Sequence, residues 1–378
     1  MPLKLGIPRE TAVGEKRVSI DPVVLSQLVD LGVKVFVEKG AGDSAYFHDD
    51  TFDKATIVED YKELTQIADV IWKIQAPTPD EVKQMREGSV LISMLNAHNN
   101  IAMLKALEEN KITSFSMELI PAIARAQSMS VDTSQGSIAG YKAAIMGADL
   151  APKFFPMLST PAGTIAPAKV MVIGADAAGL QAISTAKRLG ATVEAYDVRP
   201  ETKLLIESLG ANSIDLKIKL DISKGELTAS ERDQQQKQLV EHVTKADVLI
   251  TCVKSSSKIA PKIIPQSTVE KMKQGSVVID LAAEHGGNCS LSKKGKTLIH
   301  NGVVIHAPIN VASQMPMHAS QMYAKNLVNF TALLINENGE YTPNFEDEIV
   351  LGALLTKDGE VMHEGTLELL NKTLGEKI

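Results

Sequence analysis

The sequence contains little cysteine, no long hydrophobic run and no block of charge of one sign. Among its 378 residues only Cys252 and Cys289 are cysteines, too few for a disulfide framework, and neither has Cys-x-x-Cys or Cys/His spacing typical of a metal site. We therefore expect no metal and a reducing compartment. No window approaches eighteen consecutive apolar residues, and the apolar run at residues 3–7 is too short for a secretion signal, so neither a membrane span nor export is expected.

The formal net charge of −7 is distributed along the chain, which argues against nucleic acid as a partner. A hydrophobic content of 44% and a charged content of 22% are typical of a folded protein with a large core. The length predicts two domains.

The stretch from Lys169 to Asp197 has the pattern of a nucleotide-binding βαβ unit. An apolar strand leads into Gly174-Ala175-Asp176-Ala177-Ala178-Gly179, which stands where G-x-G-x-x-G would, and a helical pattern follows. Asp197 ends the next strand, about twenty residues past the turn, where an acid binds a ribose hydroxyl. The predicted cofactor-binding residues of this unit are Gly174, Asp176, Ala177, Ala178, Gly179, Asp197, Val198 and Arg199.

Asp176 replaces the second glycine of the motif, which normally lets the backbone approach a pyrophosphate. An ionised carboxylate about 5 Å from a phosphate charge would cost roughly 3 kcal/mol, or about two decades of affinity. A side chain turned to solvent would cost much less. From the motif alone, dinucleotide binding and a turn no longer suited to dinucleotide are equally open.

Short apolar runs alternate with helical stretches along the whole chain, a pattern typical of parallel α/β sheets. We predict two doubly wound α/β domains, residues 1–134 with 312–378 and a Rossmann-type NAD-binding domain at 135–311, joined by long helices around a cleft. Asn310 is expected either to face the cleft or to take a capping or turn role. The predicted strands are 3–7, 33–37, 70–74, 90–94, 112–115, 170–173, 192–196, 248–252, 277–281 and 303–305; the predicted connecting helices are 134–151 and 313–334, and 217–237 is expected to be a solvated helix and mobile loop.

Further motifs follow one another in a specific order: Ile7-Pro8-Arg9-Glu10, Arg17-Val18-Ser19-Ile20-Asp21-Pro22, Met117-Glu118-Leu119-Ile120-Pro121, Arg125-Ala126-Gln127-Ser128-Met129 and Gly286-Gly287-Asn288-Cys289. Over nearly its whole length the chain resembles the NAD(H)-binding component, domain I, of the alpha subunit of proton-translocating NAD(P) transhydrogenase. Alanine dehydrogenase is the nearest sister family.

The resemblance implies a subunit that passes hydride between NADH and NADP, with NADP(H) held by an NADP-binding partner component. It implies a homodimer on the cytoplasmic face of the inner membrane, where membrane-embedded alpha and beta subunits couple the transfer to proton translocation. Because no membrane-spanning run occurs before Ile378, the split-subunit form is expected.

The resemblance also implies a loop that carries Arg, Gln and Asp over the nicotinamide and its ribose. Gln127 matches the glutamine and is the predicted catalytic and cofactor-binding residue, and Thr133 keeps a nearby hydroxyl. The arginine position is Ala122 and the aspartate position is Ser130, so two charged groups are missing. Contacts moved to a neighbour such as Asp132 are the alternative.

A tyrosine that closes over NAD in the family is missing between Leu216 and Leu239. With Ala122, Ser130 and Asp176, this departure falls on the nucleotide site. The pattern predicts a conserved fold with weakened or altered NADH binding, and an extreme form of this interpretation is an impaired homologue with an assembly role.

An alanine dehydrogenase-like enzyme is the other alternative. Arg17 and Lys73 match residues that bind the substrate in that family, but Asn96 stands where it has an acid/base histidine. His98, two residues on, is expected in the following turn and is not expected to replace it. For Lys73 within a transhydrogenase we favour a structural ion pair.

Overall fold

The computed structural model describes residues 2–216, 227–254 and 259–375. By its internal contacts the chain divides into two compact units, Met1–Gln135 with Ser313–Ile378 and Gly136–Ala312. The assignment of these units to a nucleotide-binding domain and a second domain, with the cleft between them, remains a prediction.

The first unit contains an eight-stranded sheet in the order β17-β16-β6-β5-β4-β1-β2-β3. Its strands are β1 (Lys4–Ile7), β2 (Lys34–Glu38), β3 (Thr56–Val58), β4 (Val70–Gln75), β5 (Val90–Met94), β6 (Thr113–Ser116), β16 (Leu354–Lys357) and β17 (Glu360–Val361). Its helices are α1 (Pro22–Asp30), α2 (Tyr61–Ile67), α3 (Pro79–Gln84), α4 (Ile101–Glu109), α10 (Pro316–Thr331), α11 (Glu348–Ala353) and α12 (Glu364–Gly375). β1 to β6 are parallel, and β16 and β17 extend the edge in antiparallel pairing.

The second unit contains a seven-stranded sheet in the order β11-β10-β9-β12-β13-β15-β14. Its strands are β9 (Lys169–Ile173), β10 (Thr192–Tyr196), β11 (Asn212–Ser213), β12 (Val248–Thr251), β13 (Val277–Asp280), β14 (Lys296–His300) and β15 (Val303–Ala307), and β7 (Leu158–Thr160) and β8 (Gly163–Ile165) form a separate hairpin. Its helices are α6 (Ala177–Arg188), α7 (Thr202–Ser208), α8 (Ala229–Lys245) and α9 (Gln266–Val269), and α5 (Val131–Leu150) begins in the first unit and continues into this one. All pairs are parallel except β14 with β15.

Both sheets have the same strand order in their parallel part, the 3-2-1-4-5-6 order of a doubly wound fold. In the second sheet, Val170 and Val172 of β9 face one hydrophobic core, and Met171 and Ile173 face another. Burial on both faces explains why these strands are continuous apolar runs. The predicted α/β fold class is confirmed.

All ten predicted strands are present, with ends shifted by no more than two residues. Three strands at the far edges of the sheets were not predicted, β3, β14 and β17, because they are short or half exposed and lack a continuous apolar run. The connecting helices correspond to α5 and α10. Of the polar stretch 217–237, the part from Ala229 lies in α8, and residues 217–226 lie outside the described residues. No described helix is long and apolar enough to cross a bilayer.

Candidate nucleotide-binding site

The turn between β9 and α6 requires glycine at both of its ends. Gly174 has a φ of +102°, which L side chains rarely adopt. At Gly179 an added Cβ would lie 1.8 Å from the carbonyl oxygen of Gly174, so no side chain fits there. The two glycines that the motif keeps are therefore those that the tight turn and the helix start need.

Asp176 is the N-cap of α6. Its backbone is extended, with φ −78° and ψ −171°, and its Oδ1 accepts a hydrogen bond of 3.0 Å from the amide of Gly179. Ala177 and Ala178 form the first turn of the helix. The carboxylate thus lies at the positive end of the helix, where a cofactor phosphate would also accept hydrogen bonds. The sequence held a sign of this role, because aspartate directly before a helix is a common N-cap.

Asp197 follows β10 and has a nearly buried side chain, 6% exposed. Its Oδ1 accepts from the backbone N–H and Nε of Arg199, both at 2.9 Å, and its Oδ2 accepts from Nη2 of Arg199 at 2.9 Å and from the amide of Ala175 at 2.6 Å. Burial raises the pKa of Asp197, but the hydrogen bonds from Arg199 and Ala175 and the charge of Arg199 outweigh it and hold the pKa below its usual range.

A cavity of about 750 Å³ opens beside these residues. It lies where the chain turns away from the carboxyl ends of β9 and β12, the point of a doubly wound sheet at which the strand order reverses and ligands bind. Its lining includes Gly174, Asp176, Asp197, Val198 and Arg199, together with the apolar side chains Ile173, Val253, Ile259 and Ile263.

Three further cations line the cavity, Arg232, Lys254 and Lys262. With Arg199 they outnumber the two acids, Asp176 and Asp197, so the cavity has a positive balance suited to an anionic ligand. Sequence reasoning missed these three residues, since each is an isolated cation between apolar or polar neighbours.

Cys252 lies behind the turn. Its Sγ would be 2.9 Å from a Cβ added at Gly174 and 3.1 Å from one at Gly179, so the thiol packs directly against both glycines. Burial, followed by the negative charge of Asp176, raises the pKa of this thiol. The Cys252 side chain is accordingly a neutral packing group.

The cavity fits a dinucleotide in most respects. The size, the apolar walls, the cations and the glycine turn suit an adenosine diphosphate portion. Two features work against tight binding: Asp176 already occupies the Gly179 amide, and Asp197 already has four donors.

The other predicted site residues belong to the first unit. Gln127 is exposed on the 3₁₀ turn Ala124–Met129, and Ala122 is exposed just before it. Ser130 Oγ lies 2.9 Å from Thr133 Oγ1 and accepts from the Thr133 amide at 3.2 Å. Ser130 therefore serves the first turn of α5, a role that its short side chain fills without a carboxylate. The predicted cofactor contacts of Gln127 and Thr133 remain predictions, and residues 217–226, most of the loop without the tyrosine, lie outside the described residues.

Buried ion pairs fill the corresponding point of the first sheet, at the carboxyl ends of β1 and β4. Lys73 Nζ lies 3.6 Å from Glu10 and 3.4 Å from Glu81, and its side chain is 1% exposed. Arg17 forms a two-point pair with Glu15, with Nε at 2.8 Å and Nη2 at 2.7 Å. These contacts fit the structural role that we favoured for Lys73.

Asn96 and Asn310 both have left-handed backbones, with φ of 43° and 45°. The amide of Asn96 donates to Glu118 at 2.6 Å, and His98 lies in the 3₁₀ turn that follows, as expected. The amide of Asn310 donates to Glu284 at 3.3 Å, which fits the turn role. Among the described residues, no group of three or more His, Cys, Asp or Glu side chains is placed to hold a metal ion.

Comparison with known proteins places the chain. Residues 6–139 match the family model for the alanine dehydrogenase/PNT N-terminal domain, and residues 143–364 match the model for the C-terminal domain. An NAD(P) transhydrogenase subunit alpha of Rhodospirillum rubrum is 43% identical over 376 residues, 96% of this chain and 98% of the relative. An NAD(P) transhydrogenase subunit alpha of Haemophilus influenzae is 37% identical over 364 residues, 94% of this chain and 71% of the relative.

Solved structures agree with this relationship. A transhydrogenase from Sinorhizobium meliloti superposes with a TM-score of 0.84 at 36% identity and covers 96% of this chain and 99% of its own. An L-alanine dehydrogenase gives the same TM-score of 0.84 at 22% identity, covering 98% and 99%, which shows a shared fold. The chain therefore belongs to the alanine dehydrogenase/PNT family, within its NAD(P) transhydrogenase alpha-subunit branch.

Proposed function

We propose that this chain is the NAD(H)-binding subunit of a proton-translocating NAD(P) transhydrogenase. The observation that carries the proposal is the cavity of the second unit, where the Gly174 turn, the Asp197–Arg199 pair and three further cations meet in a chain of this family. NAD(H) would bind there, and NADP(H) would be held by a partner component. Its place would be the cytoplasmic face of the inner membrane, through membrane-embedded alpha and beta subunits.

The protein's own residues would bind and orient the cofactor, since hydride transfer between nicotinamides depends on juxtaposition. When bound, the nicotinamide supplies the hydride chemistry. Asp197 would accept from a ribose hydroxyl, and Arg232, Lys254 and Lys262 would offset the diphosphate charge. Gln127 would orient the nicotinamide end through its amide, which both donates and accepts hydrogen bonds.

A homodimer is part of the proposal. The hairpin of β7 and β8 forms a sheet of its own, and all three residues of β8 are exposed. Phe154, Met157 and Ile165, in and beside the hairpin, are large apolar side chains with 55%, 64% and 47% of their surface exposed. Such an apolar surface suits burial against a second copy.

One specific observation favours a form with weakened NADH binding. The N-cap carboxylate of Asp176 competes with a diphosphate for the positive end of α6. For the alanine dehydrogenase alternative the first unit offers less, because Arg17 and Lys73 are paired with internal carboxylates and Asn96 has no acid/base capacity.

The test is calorimetric titration of the purified chain with NADH, beside Asp176→Asn and Asp176→Gly. Asparagine keeps a capping oxygen without charge, whereas glycine removes both and costs only a few tenths of a kcal/mol as a cap. We expect measurable binding by the unaltered chain and tighter binding by both variants, by up to about a hundredfold.

Failure of all three proteins to bind NADH would overturn the proposed function and favour an assembly role. Equal affinity in all three would support NADH binding and show that the Asp176 charge is tolerated. Pyruvate- and ammonium-dependent oxidation of NADH by the chain alone would instead support the alanine dehydrogenase alternative.

A further inference from the structure

Asn288 is fully buried in the turn that follows β13 and lies outside the lining of the cavity. Its side chain nevertheless bonds to the cavity wall three times. Oδ1 accepts from the amide of Val253 at 2.9 Å, and Nδ2 donates to the carbonyl oxygens of Val253 and Pro261, both at 3.0 Å. One amide group thus ties two separate points of the wall together.

The backbone of Asn288 adds to this connection. Its carbonyl oxygen accepts from the amides of Ile263 and Ile264 at 2.9 Å and 3.0 Å. Val253, Pro261 and Ile263 all line the cavity, so every one of these contacts bears on its wall. The wall is therefore held from behind by a residue that the ligand would not touch.

Asp280 anchors Asn288 to the centre of the sheet. It is the last residue of β13, is fully buried, and its Oδ1 accepts from the Asn288 amide at 3.2 Å. The same carboxylate accepts from the amides of Ala282 and Cys289 and from the Ser292 hydroxyl. A charged group with several donors holds its geometry firmly, so the position of β13 is transmitted to the wall.

We propose that Asn288 is a positioning residue for the nucleotide site, which fixes the wall formed by Val253 and Pro261; the proposal rests on the function proposed above. Only a side-chain amide can accept from one backbone group and donate to two others. Leucine, of similar size, would leave three backbone groups unpaired, and ionised aspartate would place an acceptor against two carbonyl oxygens.

The experiment measures NAD⁺ affinity by calorimetry between pH 5 and 8 for the unaltered chain, Asn288→Ala and Asn288→Asp. Ser292→Ala is the matched control, because the Ser292 hydroxyl bonds to the same Asp280 carboxylate and not to Val253 or Pro261. We expect Asn288→Ala to bind at least tenfold more weakly at every pH, with Ser292→Ala within twofold of the unaltered chain.

Asn288→Asp supplies a readout that a purely structural role would not move. Its affinity should be lowest at pH 8 and recover toward that of the unaltered chain as the pH falls, because a protonated carboxyl can donate one of the two lost hydrogen bonds. Unaltered affinity in Asn288→Ala, or an Asn288→Asp profile parallel to that of Asn288→Ala, would overturn the proposal.

Amide hydrogen exchange in the ligand-free proteins separates this inference from the proposed function. Exchange at Val253 should accelerate in Asn288→Ala and not in Ser292→Ala, and unchanged exchange would overturn the clamp itself. Absence of NAD⁺ binding by the unaltered chain would overturn the proposed function and with it any role of Asn288 in binding, whatever the exchange shows.

Discussion

Arg199 and Asp197 form a closed pair in which all four hydrogen bonds to the carboxylate come from the chain itself, three of them from Arg199. A carboxylate has about four lone-pair positions, so a ribose hydroxyl must displace one of these donors. The Arg199 side chain is 44% exposed and is the donor free to move. The pair therefore sets what the ribose end of the cavity accepts.

Replacing Arg199 should change the choice between NADH and NADPH. In Arg199→Ala, Asp197 regains two acceptor positions for a 2′-hydroxyl and loses the guanidinium that would neutralise a 2′-phosphate. We expect the NADH:NADPH affinity ratio to rise about tenfold. The ratio of the two dissociation constants is the measurement, because any change at the shared diphosphate cancels; an unaltered ratio would contradict the assignment.

Gly140 and Gly136 lie on the same helix, α5, but should respond oppositely to alanine. A Cβ at Gly140 would lie 1.9 Å from the carbonyl oxygen of Ala178, at the start of α6, whereas a Cβ at Gly136 would be 3.6 Å from its nearest neighbours. Gly140→Ala should destabilise the protein by about 1–3 kcal/mol and weaken nucleotide binding. Gly136→Ala should be neutral or stabilising by up to about 1 kcal/mol. Urea unfolding compares the two, and equal stabilities would refute the close contact.

Glu15 should contribute to stability in a defined pH range. Burial raises its pKa, but the hydrogen bonds and charge of Arg17 prevail and lower the pKa from 4.5 to about 2. Since the folded pKa is depressed, this stabilisation is present above about pH 4.5 and is lost as the pH falls toward 2. Glu15→Gln should cost about 3 kcal/mol at pH 7, and the difference from the unaltered chain should vanish in acid.

The control for Glu15 is Glu59→Gln. Glu59 pairs with Lys39 at 3.0 Å, but its side chain is 76% exposed, so its loss should have little effect on stability at any pH. Chemical denaturation at pH 7, 5 and 3 supplies the data. A pH-independent loss in Glu15→Gln would mean that packing, and not charge, explains it.

Lys73 should act as a structural partner of Glu10. Lys73→Met leaves the buried Glu10 carboxylate without its nearest cation and should cost about 3–5 kcal/mol, and adding Glu10→Gln should restore part of that loss. NADH affinity should stay within about twofold of the unaltered value, a difference below about 0.4 kcal/mol. A large loss of pyruvate-dependent turnover in Lys73→Met, with stability unchanged, would point instead to a substrate-binding lysine.

Much of this protein could be predicted from the sequence because its signals are local. The ten main strands follow from apolar runs that a parallel sheet buries on both faces, and the Gly174 and Gly179 positions follow from a turn that excludes a Cβ. The family follows from the order of its motifs. The sequence singles out Asp176 as the decisive departure, but its capping of Gly179 was overlooked although aspartate before a helix indicates it.

Only the tertiary structure brought together groups that are distant in the sequence. Arg232, Lys254 and Lys262 meet Asp197 in one cavity, and Asn288 reaches Val253 across 35 residues of chain. Hydrogen bonding depends on distances within a few tenths of an ångström and on which partners fill each acceptor, and neither is written in residue order. The sequence determined the strands, the turn and the kind of site, whereas packing determined which amides, carboxylates and cations of that site are already engaged.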